Sequence, residues 1–261
     1  MSERQPPAWR VAMSLFTVIP AGVSGILDDD VAARAIRWLP AIGLLLGSIG
    51  AGVMLTVGRL NATGPGRLLG AALAVAVIAV LTGGLHLDGL ADTADGLGSR
   101  RPAAVALDIM RRSDIGPMGV GALVLMLLLQ VTAVAAIRPL PLAAAALILA
   151  EVTGRVAVVL ATSAPAARPG GFGALVAGRT TAAERALTVC VLACAVAAAG
   201  VTAGGPALAV RGLAATVAGL LAGWLLQRAA RRRLGGLTGD VFGAILQVSA
   251  VTALIAAALV G

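Results

Sequence analysis

The sequence predicts an all-α fold, a polytopic integral membrane helical bundle of about seven transmembrane helices, on three observations. Hydrophobic residues make up 59% of the chain and charged residues 12%, and the mean hydropathy is +0.98, beyond what a water-soluble domain carries. Apolar runs recur at 38–58, 68–86, 117–137, 140–162, 186–203, 207–227 and 240–260, each about long enough to cross a hydrocarbon core of roughly 30 Å. The least polar links between them are short and carry Gly and Pro, as in 61–66, 138–141 and 204–206, which stop helices in little space. Nothing marks off a soluble domain, so residues 1–261 read as a single membrane-embedded unit with an interfacial N-terminal segment, 1–37.

In chain order, Trp9–Pro20 is only about 12 residues long, too short to cross, and reads as an interfacial or half-inserted helix closed by Pro20. It has no small-residue cleavage site and is not read as a signal peptide. Asp28-Asp29-Asp30, followed by Arg34 and Arg37, reads as an N-capped amphipathic turn lying on the membrane, a solvated surface helix. The second span runs into Gly83–Gly96, and a polar 87–116 loop precedes the third. Polar loops at 163–185 and 228–239 precede the fifth and seventh spans.

Arginine sets the orientation, because all 20 basic residues are Arg. With seven spans, the N-terminal region and the loops 87–116, 163–185 and 228–239 hold most of them on one side. The other side has only Arg59, Arg67, Arg138 and Arg211, and Arg155 lies inside a span. The positive-inside rule puts the N-terminus and the arginine-rich loops in the cytoplasm. The net charge of +8 follows from topology and anionic lipid, and aromatics at 2% leave no platform for base stacking, so nucleic acid is not an expected partner. Cys190 and Cys194, four apart in one span, read as small apolar packing residues, neither a disulfide nor a metal site.

Four constellations carry chemistry, all but the third on the arginine-rich side. The first is Gly83–Gly96, which concentrates Asp88, Asp92, Asp95 and the only histidine, His86. On a helix the three carboxylates fall within an arc of roughly 60°. Carboxylates at the edge of hydrocarbon are costly, and the expected compensation is a bound cation, above all Mg²⁺, which is completed by waters and substrate phosphates. A helix cap would use one such Asp and have no use for a third two turns on. His86 reads equally as a packing residue and as a base or phosphate donor. The second is Asp108–Gly119, where Arg111 and Arg112 suit phosphate oxygens; a positive-inside anchor explains them about equally well but does not explain Asp114 at the membrane boundary, which joins Arg111 and Arg112 as a substrate-binding candidate. The third is Glu151 and Arg155, one turn apart inside a span; it reads first as an intramembrane ion pair, with Arg155 kept among the substrate-side candidates. The fourth is Leu234–Asp240, whose Thr238 and Asp240 open the last span with more polarity than a helix stop requires. Metal-binding carboxylates and phosphate-binding arginines in a bundle open to the cytoplasm imply phosphoryl or pyrophosphate chemistry.

These residues resemble a known family. His86-Leu87-Asp88-Gly89-Leu90-Ala91-Asp92-Thr93-Ala94-Asp95-Gly96, the loop from Ile109-Met110 to Ile115-Gly116, Ala167-Arg168-Pro169-Gly170-Gly171, and Gly235-Gly236-Leu237-Thr238-Gly239-Asp240 resemble the cobalamin synthase (adenosylcobinamide-GDP ribazoletransferase) family in order and over most of the chain, from Leu15–Pro20 to the last helix. The chain departs from the family at Arg112 and Asp114, where many members have an acidic and a basic residue respectively, and at Gln247, where many have a carboxylate.

The resemblance implies the last step of cobalamin nucleotide-loop assembly, in which adenosylcobinamide-GDP and α-ribazole, or its 5′-phosphate, are joined and GMP is released. It implies Mg²⁺ on Asp88, Asp92 and Asp95, arginines such as Arg111, Arg112 or Arg168 against the charge of departing GMP, and His86 or Asp95 as the proton acceptor. Thr238 and Asp240 join the substrate-binding set, and the site belongs to the cytoplasmic face of the inner cell membrane. Two other readings share some features. A CDP-alcohol phosphotransferase uses similar chemistry, but its Asp-Gly…Ala-Arg spacing is not reproduced after Asp88-Gly89. A transporter would carry charge near the midplane on broken helices in related halves, whereas only Glu151 and Arg155 lie deep here. Intramembrane Gly and Ala suit a homo-oligomer contact as well as packing within one chain.

Overall fold

The computed structural model describes residues 5–23 and 29–260. Asp28, part of the expected cap, and Arg4, one of the N-terminal arginines, lie outside them. Ala8–Phe16 forms α1, Asp29–Ala35 forms α2, and a 3-10 turn, Ile36–Trp38, leads into α3, Leu39–Leu60. There follow α4 (Gly64–Leu81), α5 (Leu85–Gly98), α6 (Ala103–Ile109), α7 (Pro117–Ala136), α8 (Leu140–Ala161), α9 (Gly171–Val176), α10 (Ala182–Gly204), α11 (Pro206–Leu234) and α12 (Gly239–Leu259). Among the described residues seven helices, α3, α4, α7, α8, α10, α11 and α12, are long and apolar enough to cross a membrane. Among the described residues there is no strand, only an isolated parallel bridge between Ala166 and Leu237.

The bundle is organised around α8 and α12, the two most buried spans, with α3, α7 and α11 packed about them, α4 against α3 and α7, and α10 outermost against α11 and α8. Small residues set the spacing. A Cβ at Gly43 of α3 would lie 2.8 Å from the Glu151 carbonyl oxygen, and one at Gly47 would lie 2.8 Å from the Ile148 Cα, so α3 and α8 meet backbone to backbone. Cys190 and Cys194 are free and face outward from α10.

Two elements differ from the sequence reading. The apolar run at 68–86 predicts a helix through His86, yet α4 stops at Leu81, because Gly83 and Gly84 take left-handed φ values of +59° and +74° and reverse the chain. Residues 29–37 are not a solvated surface helix. Val31, Ala33, Ala35 and Ile36 are all buried, and Arg179 pairs with Asp30 while Arg37 pairs with Glu184 at 3.1 Å, tying α2 and the turn after it to the segment before α10 and to its start. The N-terminal helix α1 is held in the same way, with Val11, Ala12 and Phe16 in the core.

Candidate functional site

Seven alternating spans place the ends of α4, α8 and α11 and the starts of α7, α10 and α12 at one end of the bundle, where α5 also lies. The Thr82–Gly84 turn launches α5, and Gly89 lets it settle against the start of α12, since a Cβ there would fall 2.7 Å from the Asp240 carbonyl oxygen. This contact brings Asp88 and Asp92 to Asp240 across about 150 residues of chain.

Two adjoining cavities result. A cleft of about 820 Å³ is lined by Asp88 and Asp92 of α5 together with Arg111, Arg112, Ser113 and Asp114 from the loop ahead of α7, with Thr17 and Val18 as part of its wall. A smaller cavity of about 280 Å³ is lined by His86, Asp88, Arg168 and Asp240. Asp88 borders both. Three of the four sequence constellations therefore meet in one place.

The remaining candidates are used differently. Both oxygens of Asp95 are engaged, Oδ2 by the Gly116 N–H at 2.7 Å and Oδ1 by the Gly119 N–H at 2.9 Å. Gly116, the N-cap of α7, has no side chain to satisfy the orphan donors, so Asp95 caps that helix from α5. Either glycine, given a Cβ, would collide with the carboxylate. Asp95 does not line the cleft, and among the described residues no three His, Cys, Asp or Glu side chains form a ready-made metal centre. Thr238 is buried and caps α12, accepting from the Val241 N–H at 3.3 Å and donating to Asp240 Oδ2 at 3.1 Å; it positions Asp240 and lines neither cavity. Arg155 is likewise absent from both linings. It is 1% exposed and paired with Glu151 inside α8, as an intramembrane ion pair requires.

Electrostatics separate His86 from the aspartates. Burial, and then the positive charge of Arg155, lower the His86 pKa to about 3, so it stands in the smaller cavity as a neutral imidazole. Asp92 is pushed the other way, to about 6, by burial and then by the charges of Asp88, Asp240 and Asp95. Carboxylates that repel one another at the rim of a cleft are an environment for a cation. Two on successive helical turns, facing arginines across the cleft, fit an ion such as Mg²⁺ that takes one or two protein oxygens and fills its shell with water and phosphate oxygens.

Sequence reading missed one feature, an aromatic wall. The three phenylalanines of the chain, Phe16, Phe172 and Phe242, come from α1, α9 and α12 and all line the smaller cavity. Their rings meet edge to face, with centroids 5.6 Å apart for Phe16 and Phe172 and 6.2 Å apart for Phe172 and Phe242. No local pattern joins positions so far apart; their scarcity is the only signal.

Fold and site together define a polytopic helical membrane protein with a cleft of carboxylates and arginines at one end of its bundle. The family model described as cobalamin-5-phosphate synthase matches residues 8–258. A protein named adenosylcobinamide-GDP ribazoletransferase from Bradyrhizobium diazoefficiens is 42% identical over 253 residues, covering 95% of this chain and 92% of its own. Proteins of the same name from Frankia casuarinae and Desulforamulus reducens are 37% and 39% identical over 261 and 242 residues, covering 96% and 90% of this chain and 94% and 90% of their own. The chain belongs to the cobalamin-5-phosphate synthase family, a family of transferases. No solved structure matches it.

Proposed function

We propose that this protein transfers the adenosylcobinamide phosphate group of adenosylcobinamide-GDP to α-ribazole or its 5′-phosphate, giving adenosylcobalamin or its 5′-phosphate and GMP. The observation that carries the reading is the shared lining of one cleft by Asp88 and Asp92 on one wall and Arg111 and Arg112 on another. A pyrophosphate needs both its charge offset and its oxygens held, and guanidinium forks beside a metal-ready carboxylate pair supply the two functions.

In the proposed step a ribazole hydroxyl oxygen bonds to the phosphorus that carries cobinamide, and the bond from that phosphorus to the oxygen of departing GMP breaks. Arg111 and Arg112 hold the pyrophosphate oxygens, and Arg168 offsets charge from the adjoining cavity. Mg²⁺, held by Asp88 and Asp92, would neutralise the pyrophosphate and favour departure of GMP. The hydroxyl proton goes to His86, which lines the smaller cavity unprotonated; of the two residues expected for that role, Asp95 already has both oxygens tied to α7. The burial that keeps His86 neutral also makes it a weak base, and the negative charge of bound substrate strengthens it. We place the active face in the cytoplasm at the inner cell membrane, following the arginine distribution.

The test is to give purified protein in detergent adenosylcobinamide-GDP with α-ribazole or its 5′-phosphate and to follow GMP alongside corrinoid product. Equimolar GMP and nucleotide-bearing corrinoid are expected. GMP release without a new corrinoid, or neither from folded protein, would contradict the assignment.

A further inference from the structure

A third cavity, of about 350 Å³, lies at the same end of the bundle and shares no residue with the two of the site. It is lined by Arg228, Arg231 and Arg232, with Trp224, Gln227 and Gly235 from the same stretch of chain and Pro165 from the loop after α8. The three arginines stand at i, i+3 and i+4 and so share one face of α11. None is in any ion pair among the described residues. Helix-dipole complementation and positive-inside anchoring put arginines at this end without requiring them to converge. Here three of the four line one concavity, and Arg233, on another face, does not.

We propose that this cavity is a binding site for the phosphate headgroup of an anionic phospholipid. At 29 residues α11 is about 43 Å long, against roughly 30 Å of hydrocarbon, so its last turns stand at headgroup level. Trp224, 49% exposed, sits one turn before Arg228, whose guanidinium lies over its ring at 5.6 Å; this pairs an apolar shoulder for the glycerol and acyl portion with a charged floor for the phosphate. That shoulder favours a lipid over a free phosphate. The cavity also borders the strap that carries the site. Leu237 N–H donates to the Pro165 carbonyl at 2.9 Å and Ala167 N–H to the Leu237 carbonyl at 3.0 Å, and Thr238 and Asp240 follow directly.

The experiment is a lipid titration of the purified full chain in neutral detergent, read by native mass spectrometry. Phosphatidylglycerol should bind at least about ten-fold tighter than phosphatidylcholine, and the triple variant R228Q/R231Q/R232Q should lose that preference while R59Q/R138Q, at the far end of the bundle, keeps it. Equal binding of the two lipids, or a preference that survives in the triple variant, would overturn the proposal. Inorganic phosphate that binds with the same arginine dependence and displaces phosphatidylglycerol would assign the cavity to a free anion and overturn the lipid reading. Should the triple variant not fold, brominated phosphatidylglycerol should quench the part of wild-type tryptophan fluorescence that Trp224→Phe removes, and absence of that quenching would refute the site.

Discussion

Asp92 and Asp95 stand on the same face of α5, one turn apart, and opposite outcomes are expected on removing their charges. The ionised form of Asp92 is destabilised by burial and then by the charges of Asp88, Asp240 and Asp95, so Asp92→Asn should raise the melting temperature of metal-free protein while cutting turnover by about 100-fold or more. Asp95→Asn keeps one good acceptor for two N–H donors and should lower stability by about 1–3 kcal/mol. Thermal unfolding in chelator with an activity assay decides both; a lower melting point for Asp92→Asn would refute the repulsion argument. The carboxylate cluster was legible because its spacing on a helix is local. What Asp95 bonds was not, since Gly116 and Gly119 reach it only through the packing of α5 against α7. Arg155 reads first as the partner of Glu151, and it is paired so; that it lines neither cavity depends on the packing and is not visible in its neighbours along the chain.

Between elements, α7 and α12 are joined inside the bundle by Gln247, whose Nε2 donates to Gln130 Oε1 at 3.2 Å with both side chains buried. Gln247→Leu strands Gln130 and should cost about 1 kcal/mol, whereas Q130L/Q247L should recover most of it. A double variant no better than the single would show that the pair does not hold the helices together. Gln247 occupies a position where a carboxylate was expected, and the amide has a partner that suits it without a charge. The seven spans were legible from hydropathy because each is apolar throughout. The end of α4 was not, because the residues after Leu81 remain apolar enough to extend the run and only the left-handed Gly83 and Gly84 stop it. The burial of α2 also escaped, since Val31, Ala35 and Ile36 give it an apolar face that a helix lying on the membrane would equally present, and only the packing places that face in the core.

For the whole molecule, the polar groups gather at one end while the other end has short Gly- and Pro-marked links, an asymmetry that fixes where water-soluble substrates must arrive. In a C190A/C194A background, Ser113→Cys should react with an impermeant thiol reagent only from the cytoplasmic side, and Asn61→Cys only from the opposite side. The reverse pattern would invert the proposed orientation. The architecture and the residues of the cleft were both legible, but their meeting was not. Asp88 and Arg111 come together through the turn at Gly84 and the capping of α7 by Asp95, which are properties of the folded bundle.

The most direct measurement is the rate of GMP release from adenosylcobinamide-GDP in the presence of α-ribazole, for wild type and Asp92→Asn, with Mg²⁺ and with chelator. Mg²⁺-dependent release is expected in the wild type and none above background in the variant under either condition. Equal rates in wild type and Asp92→Asn, or full activity in chelator, would contradict it.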